Sequence, residues 1–203
     1  MTEGRSKSFK VCELTGSKVR LRIPDPKDAR IAYGLVNDDR VTRNILWDGP
    51  PSIEDLADGF RRRATWWLNG TGEFSFSLEE LDGSTIIGSI YAHAEANPLQ
   101  VSLGYWLGVP YWGLGYMSDA VRLVTHFAFG YLDAIRTFAT VFVGNTASQK
   151  VLENNGYTLD GTLRSHVLKR NQWRDEWFFT LLRAEWEDHK EWYKPKLERI
   201  IPL

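Results

Sequence analysis

The sequence predicts an α/β fold, of the α+β kind, in which a mixed sheet of about seven strands is flanked by about four to five helices. Two segments of helical period come first, a meander of β-rich stretches follows, and strand then alternates with helix toward the C-terminal end. No Pro/Gly-rich linker, internal repeat or low-complexity segment interrupts that order. At 203 residues, 43% hydrophobic and 25% charged, the chain has enough apolar material for one sizeable core. The expectation is one domain over residues 1–203, with residues 1–16 as a flexible N-terminal extension.

The elements follow in order. Val19 to Ile23 alternates as a strand does, and Pro24-Asp25-Pro26 breaks it. Lys27 to Val36 suits a helix capped by Asp25. Pro50-Pro51-Ser52 ends the irregular stretch that follows, and Ser52 with Asp55 opens a helix to about Leu68, closed by Asn69-Gly70-Thr71-Gly72. Phe74 to Glu80 and Thr85 to His93 read as a hairpin turning at Asp82-Gly83, with Val101 to Leu107 as the next strand. Ala120, Leu123, Val124, Phe127 and Tyr131 recur at three- and four-residue intervals, so residues from Gly115 to Tyr131 form an amphipathic helix. Strands at Ile135 to Phe142, Tyr157 to Leu163 and Trp177 to Leu182, a short helix after Asn145 and a last helix near Ala184 to Tyr193 complete the reading.

The most informative stretch is Tyr105-Trp106-Leu107-Gly108-Val109-Pro110-Tyr111-Trp112-Gly113-Leu114-Gly115-Tyr116-Met117-Ser118. It leads from an apolar strand through a proline and two spaced glycines into a helix. Such a join presents backbone N–H groups to an anion, and glycines lacking Cβ let a phosphate come close. A plain tight turn would use the same residues, and neither G-x-x-x-x-G-K-[ST] nor G-x-G-x-x-G occurs. About thirty residues on, the strand ending at Phe142 is followed by Gly144-Asn145-Thr146-Ala147-Ser148-Gln149-Lys150-Val151-Leu152-Glu153-Asn154-Asn155-Gly156, in which Asn145 can cap a helix and Gly156 can end it.

Together these segments resemble the acyl-CoA site of the GNAT superfamily of N-acetyltransferases, most closely its RimJ/RimL-like branch. The wordings that carry the resemblance are Gly104-Tyr105-Trp106-Leu107, Tyr111-Trp112-Gly113-x-Gly115-Tyr116, Asn145-x-x-Ser148 and Gly161-Thr162-Leu163-Arg164, over roughly Lys18 to Trp186. The resemblance implies a mostly antiparallel sheet splayed at the cofactor site. Acetyl-CoA would be the co-substrate, with no metal. Gly113, Leu114, Gly115, Tyr116, Met117 and Ser118 would hold its pyrophosphate, and Tyr105 and Leu107 would pair with its pantetheine arm. Met117 is bulkier than the small residue the superfamily pattern expects there. Asn145 would orient the cofactor and Ser148 would protonate the leaving sulfur, because the place of the proton-donating Tyr of many relatives is taken by Leu152. The carboxylates that relatives carry near Thr140 and Ser102 are missing, which leaves His93 and Glu95, at the end of a strand, as candidates for the base.

The implied activity is transfer of an acetyl group to a primary amine, of a protein N-terminus or a small molecule, by direct attack in a ternary complex. An acyl-CoA sensor without turnover is the alternative, and a nucleotide-phosphate binder a weaker third. The acceptor pocket is expected between the first two helices, their loop with Trp47 and Asp48, and the terminal strands. Trp66, Trp67, Trp173 and Trp177 add aromatic surface, with the adjacent Trp66 and Trp67 read as helix packing. A formal net charge of −1 gives no reason to expect nucleic acid, and Arg61-Arg62-Arg63 reads as a solvated helix face. No run approaches the about 18 apolar residues that cross a bilayer, so no membrane partner is expected. Cys12 is the one cysteine, read as an incidental residue near a flexible end, and with no signal-peptide pattern it points to a reducing, cytoplasmic setting. A homodimer is common among the resembled proteins.

Overall fold

The computed structural model describes residues 7–70, 72–83, 85–95 and 99–203. In chain order the elements are β1 (Phe9–Thr15), β2 (Val19–Arg22), α1 (Ala29–Val36), α2 (Asp39–Thr42), α3 (Ile53–Asn69), β3 (Glu73–Glu80), β4 (Ile86–Ala94) and β5 (Gln100–Leu107). They continue with α4 (Tyr116–Tyr131), β6 (Arg136–Phe142), α5 (Thr146–Glu153), β7 (Thr158–Lys169), β8 (Gln172–Leu182), α6 (Arg183–Asp188), α7 (Lys190–Tyr193) and β9 (Leu197–Pro202). The strands form one sheet in the order β7-β8-β6-β5-β4-β3-β2-β1-β9, and among the described residues only β5 and β6 run parallel.

The mixed, mostly antiparallel sheet is the one expected, but among the described residues nine strands replace about seven and seven helices replace four to five. The segment read as a flexible extension contains β1, which lies between β2 and β9 and buries Phe9, Cys12 and Leu14. Cys12 is accordingly a core residue, and burial followed by the charges of Glu198 and Glu13 pushes its thiol well above the ordinary range. Met1 to Ser6 and Thr71 of the expected helix terminator lie outside the described residues. Asp25 does cap, accepting from Lys27 N at 3.0 Å, but it starts a single 3-10 turn, and α1 begins only at Ala29. The last expected helix breaks at His189 into α6 and α7.

The central core is aromatic. Phe9, Trp67, Phe74, Phe76 and Phe127 pack with ring centroids 4.9 to 6.0 Å apart, mostly edge to face, the arrangement favoured by ring quadrupoles. Trp67, fully buried, donates its indole N–H to the Ser75 carbonyl at 2.8 Å, which ties α3 to β3. Ser52 caps α3 by accepting from Asp55 N at 3.0 Å, and Gly70, at φ 62°, ends it.

α4 is fixed at its first turn. The buried Asp119 carboxylate accepts from the backbone N–H groups of Lys18 and Val19 at 2.8 and 3.2 Å and from the Arg122 guanidinium at 2.7 Å. Arg122 in turn donates to the carbonyls of Tyr193 and Lys194. A carboxylate in the first turn also suits the positive end of the helix dipole. The direction in which the α4 N-terminus points is therefore set by buried charge as well as by apolar packing.

Candidate functional site

The sheet opens beside that N-terminus. β5 and β6 share rungs only at Gln100↔Arg136, Val101↔Thr137 and Ser102↔Phe138, yet they run on to Leu107 and Phe142. β5 keeps its other edge on β4 as far as Gly88↔Leu107, and β6 keeps its other edge on β8. From Leu103 onward the two strands thus diverge and leave a free backbone edge, the kind an extended ligand can join.

A cavity of 530 Å³ runs from the end of β5, at Tyr105 to Leu107, along the loop before α4 to the first turn of α5. Tyr105, Leu107, Gly113, Gly115, Tyr116, Met117, Ser118 and Asn145 line it, as do Lys150 and Asn154. Of the residues expected there, Leu114 alone does not: it is half exposed, and its carbonyl accepts from Lys18 Nζ at 2.6 Å. Gly113 and Gly115 have φ of 76° and 81°, a region other residues occupy at a cost, and a Cβ on Gly113 would meet nothing within 4 Å. Trp112 donates its indole N–H to the Leu107 carbonyl at 2.8 Å and so pins this loop to the end of β5. Met117 is buried in the core beneath the cavity wall. Among the described residues no carboxylate lines this cavity.

A second, inner cavity of 660 Å³ lies in the gap itself, lined by Leu103 to Trp106 of β5 and Ala139 to Phe142 of β6. The two share Asn44, Ile45, Tyr105, Trp106, Asn145 and Ser148. Asn145 caps α5, its Oδ1 accepting from Ser148 N at 3.2 Å, and Tyr105 donates its hydroxyl to the Ser148 carbonyl at 3.4 Å. Desolvation raises the Tyr105 phenol far above its usual range, so it stays a neutral donor at the junction. Leu152, read from the resemblance as taking a tyrosine's place, is fully buried.

Trp47, Phe60, Arg63, Tyr91, Phe142, His166 and Glu176 give the inner cavity its character. Of the two loop residues expected at the acceptor pocket, Trp47 lines the inner cavity and Asp48 does not: it is held by Lys169 and Arg170, which lower its carboxyl below the usual range. Arg63, read as part of a solvated face, points into the cavity, and burial lowers its guanidinium. Trp177 packs on the core, and Trp173 is exposed.

The base candidates His93 and Glu95 line neither cavity. On β4 it is Tyr91 that faces the inner cavity, and one pleat on, about 6.8 Å further, His93 has passed its rim. His166 and Glu176 stand in the cavity instead, Nδ1 to Oε2 at 2.6 Å. No motif spacing announces this pair, which two neighbouring strands assemble. Among the described residues no group of three or more His, Cys, Asp or Glu could hold a metal ion, and no helix is long and apolar enough to cross a membrane.

Comparison with known proteins agrees with this geometry. A family profile described as acetyltransferase (GNAT) domain matches residues 18–158. The probable N-acetyltransferase YjcK of Bacillus subtilis is 30% identical over 181 residues, covering 85% of this chain and 98% of its own. Among solved structures, a GNAT-family acetyltransferase from Bacillus anthracis superposes with a TM-score of 0.76 at 21% identity, covering 85% of this chain and 99% of that one. RimL, a ribosomal L7/L12 alpha-N-protein acetyltransferase in complex with coenzyme A, gives 0.73 at 20% identity, covering 84% and 97%. At these identities the two structures report likeness of fold alone.

Proposed function

The chain belongs to the GNAT acetyltransferase family, and from that premise we propose that it transfers an acetyl group from acetyl-CoA, held in the loop cavity, to a primary amine entering the inner cavity. The observation that carries this reading is the shared wall: Tyr105, Trp106, Asn145 and Ser148 line both cavities, so ligands in the two would meet there. The loop residues fit a pyrophosphate, with first-turn amides of α4, two left-handed glycines and open space above Gly113. The diverging edge of β5 from Leu103 to Leu107 fits an extended amide-bearing tail. Trp47, Tyr91 and Trp106 offer ring faces, and Glu176 a charge, suited to an ammonium group.

Bound acetyl-CoA supplies the activated acyl group and a thiolate leaving group. The chain's part is to hold the thioester at the junction and to move protons. The Ser148 hydroxyl, on the first turn of α5 in the shared wall, relays a proton from the reacting nitrogen to the sulfur as the C–S bond breaks. A protein N-terminal amine and a small-molecule amine both fit this scheme.

Thiol release from acetyl-CoA against a panel of peptides, polyamines, aminoglycosides and amino acids tests the reading. Turnover with at least one amine is expected. Coenzyme A binding without release by any amine would favour a sensor and overturn the enzyme. Ser148→Ala should lower kcat by about 10- to 100-fold while leaving the acetyl-CoA dissociation constant unchanged, as measured by steady-state kinetics and calorimetry.

A further inference from the structure

We propose that His166, oriented by Glu176, is the general base that deprotonates the acceptor amine. This rests on the acetyltransferase reading above and assigns the one chemical role which that reading leaves open.

Three observations place it. Both side chains line the inner cavity that also contains Ser148, the cavity assigned to the amine. Glu176 is almost wholly buried on β8, and its carboxylate meets the imidazole Nδ1 at 2.6 Å, while His166 is about half exposed. An ionised carboxylate only accepts, so in the neutral ring the proton sits on Nδ1 and Nε2 is the nitrogen whose lone pair can take a proton from an incoming ammonium. The backbone is distorted where it delivers this histidine. Leu163 pairs with Glu176 and Val167 with Arg174, so Arg164, Ser165 and His166 stand opposite the single Asp175. Ser165 takes φ 46°, and its N–H is held by the Asp175 carboxylate at 2.7 Å. A bulge of this kind turns a side chain out of the strand's regular alternation, and left-handed strain of this kind clusters at functional sites.

The proton path balances. His166 Nε2 takes one proton from the acceptor ammonium, and the freed nitrogen lone pair forms the C–N bond at the acetyl carbon while the C–S bond breaks. The second nitrogen proton reaches the sulfur through the Ser148 hydroxyl. The imidazolium then returns its proton to solvent, to which the half-exposed ring is open. The sum is ammonium plus thioester giving amide, free thiol and one proton.

The test is His166→Ala, a change at a half-exposed site that the fold should tolerate, assayed with an amine that the wild-type protein acetylates. The expected result is a kcat lower by about 100-fold or more, an unchanged acetyl-CoA dissociation constant, and partial recovery of kcat on adding imidazole. Glu176→Gln, as the positioning residue, should lower kcat less and leave acetyl-CoA affinity alone. A His166→Ala variant with wild-type kcat, or one that changes only the KM for the amine, overturns the base. A wild-type protein that binds coenzyme A but acetylates no amine overturns both the base and the activity, so the two failures are distinguishable.

Discussion

Ser165 sits at φ 46° in the middle of a strand, and that one residue explains why the meeting of His166 with Glu176 is not visible in the sequence. Hairpin residues facing each other can be read from the turn outward. Arg170 and Asn171, both at positive φ, form a two-residue turn closed by Lys169↔Gln172, and counting back pairs His166 with Asp175. The bulge breaks that count and brings the imidazole to Glu176 instead. The loop before α4 was legible because glycines at positive φ and backbone donors are local properties: Gly113, Gly115, Tyr116 and Ser118 stand where the spacing places them. Gly113→Glu should raise the acetyl-CoA dissociation constant at least tenfold, about 1.4 kcal/mol, because it brings a carboxylate and a disfavoured φ to an open phosphate cradle. Calorimetric affinity equal to that of the wild-type protein, in a folded variant, would remove the loop from the binding site.

Among the elements, helices with a clean period were readable and strands with a broken one were not. β1 buries Phe9, then Cys12 and Leu14, because a bulge between Phe9 and Val11 shifts its phase, so period-two alternation fails. β9 is a mostly exposed edge ending in Pro202, and its apolar residues Leu197, Ile200 and Ile201 do not alternate in a way that would betray a strand. The β7–β8 hairpin does more than carry the histidine. Buried Lys169 donates to the carbonyls of Leu46 and Trp47 and to Asp48, while Arg170 reaches Asp48, Asp39 and Thr42. This latch holds the segment from Asn44 to Trp47, all of which lines the inner cavity and of which Asn44 and Ile45 line both. Lys169→Met would leave those acceptors without their ammonium, at a cost of about 1–3 kcal/mol in stability. It should also raise the KM for the amine several-fold while changing kcat less. Denaturant unfolding together with steady-state kinetics checks both, and an unchanged KM would make the latch a matter of stability alone.

At the scale of the whole molecule, the N-terminal strand is structural. Removing residues 1–16 exposes the core that Phe9, Cys12 and Leu14 cover and takes away the neighbour of β9. Burial of a large apolar side chain is worth about 1.5–3 kcal/mol. Scaled to a chain of this size, the truncated protein should melt about 10 °C lower or more, or fail to fold, as followed by circular dichroism. A melting temperature equal to that of the full chain would return the segment to the role of a loose extension.

The parting of β5 from β6 has a mechanical side. Six strands on one flank and three on the other are joined across the sheet by only three rungs, Gln100 to Ser102 on β5. Such a seam is the line along which amide protons should exchange fastest within the sheet, and a guest laid into the opening would act as the missing lath that stiffens both halves.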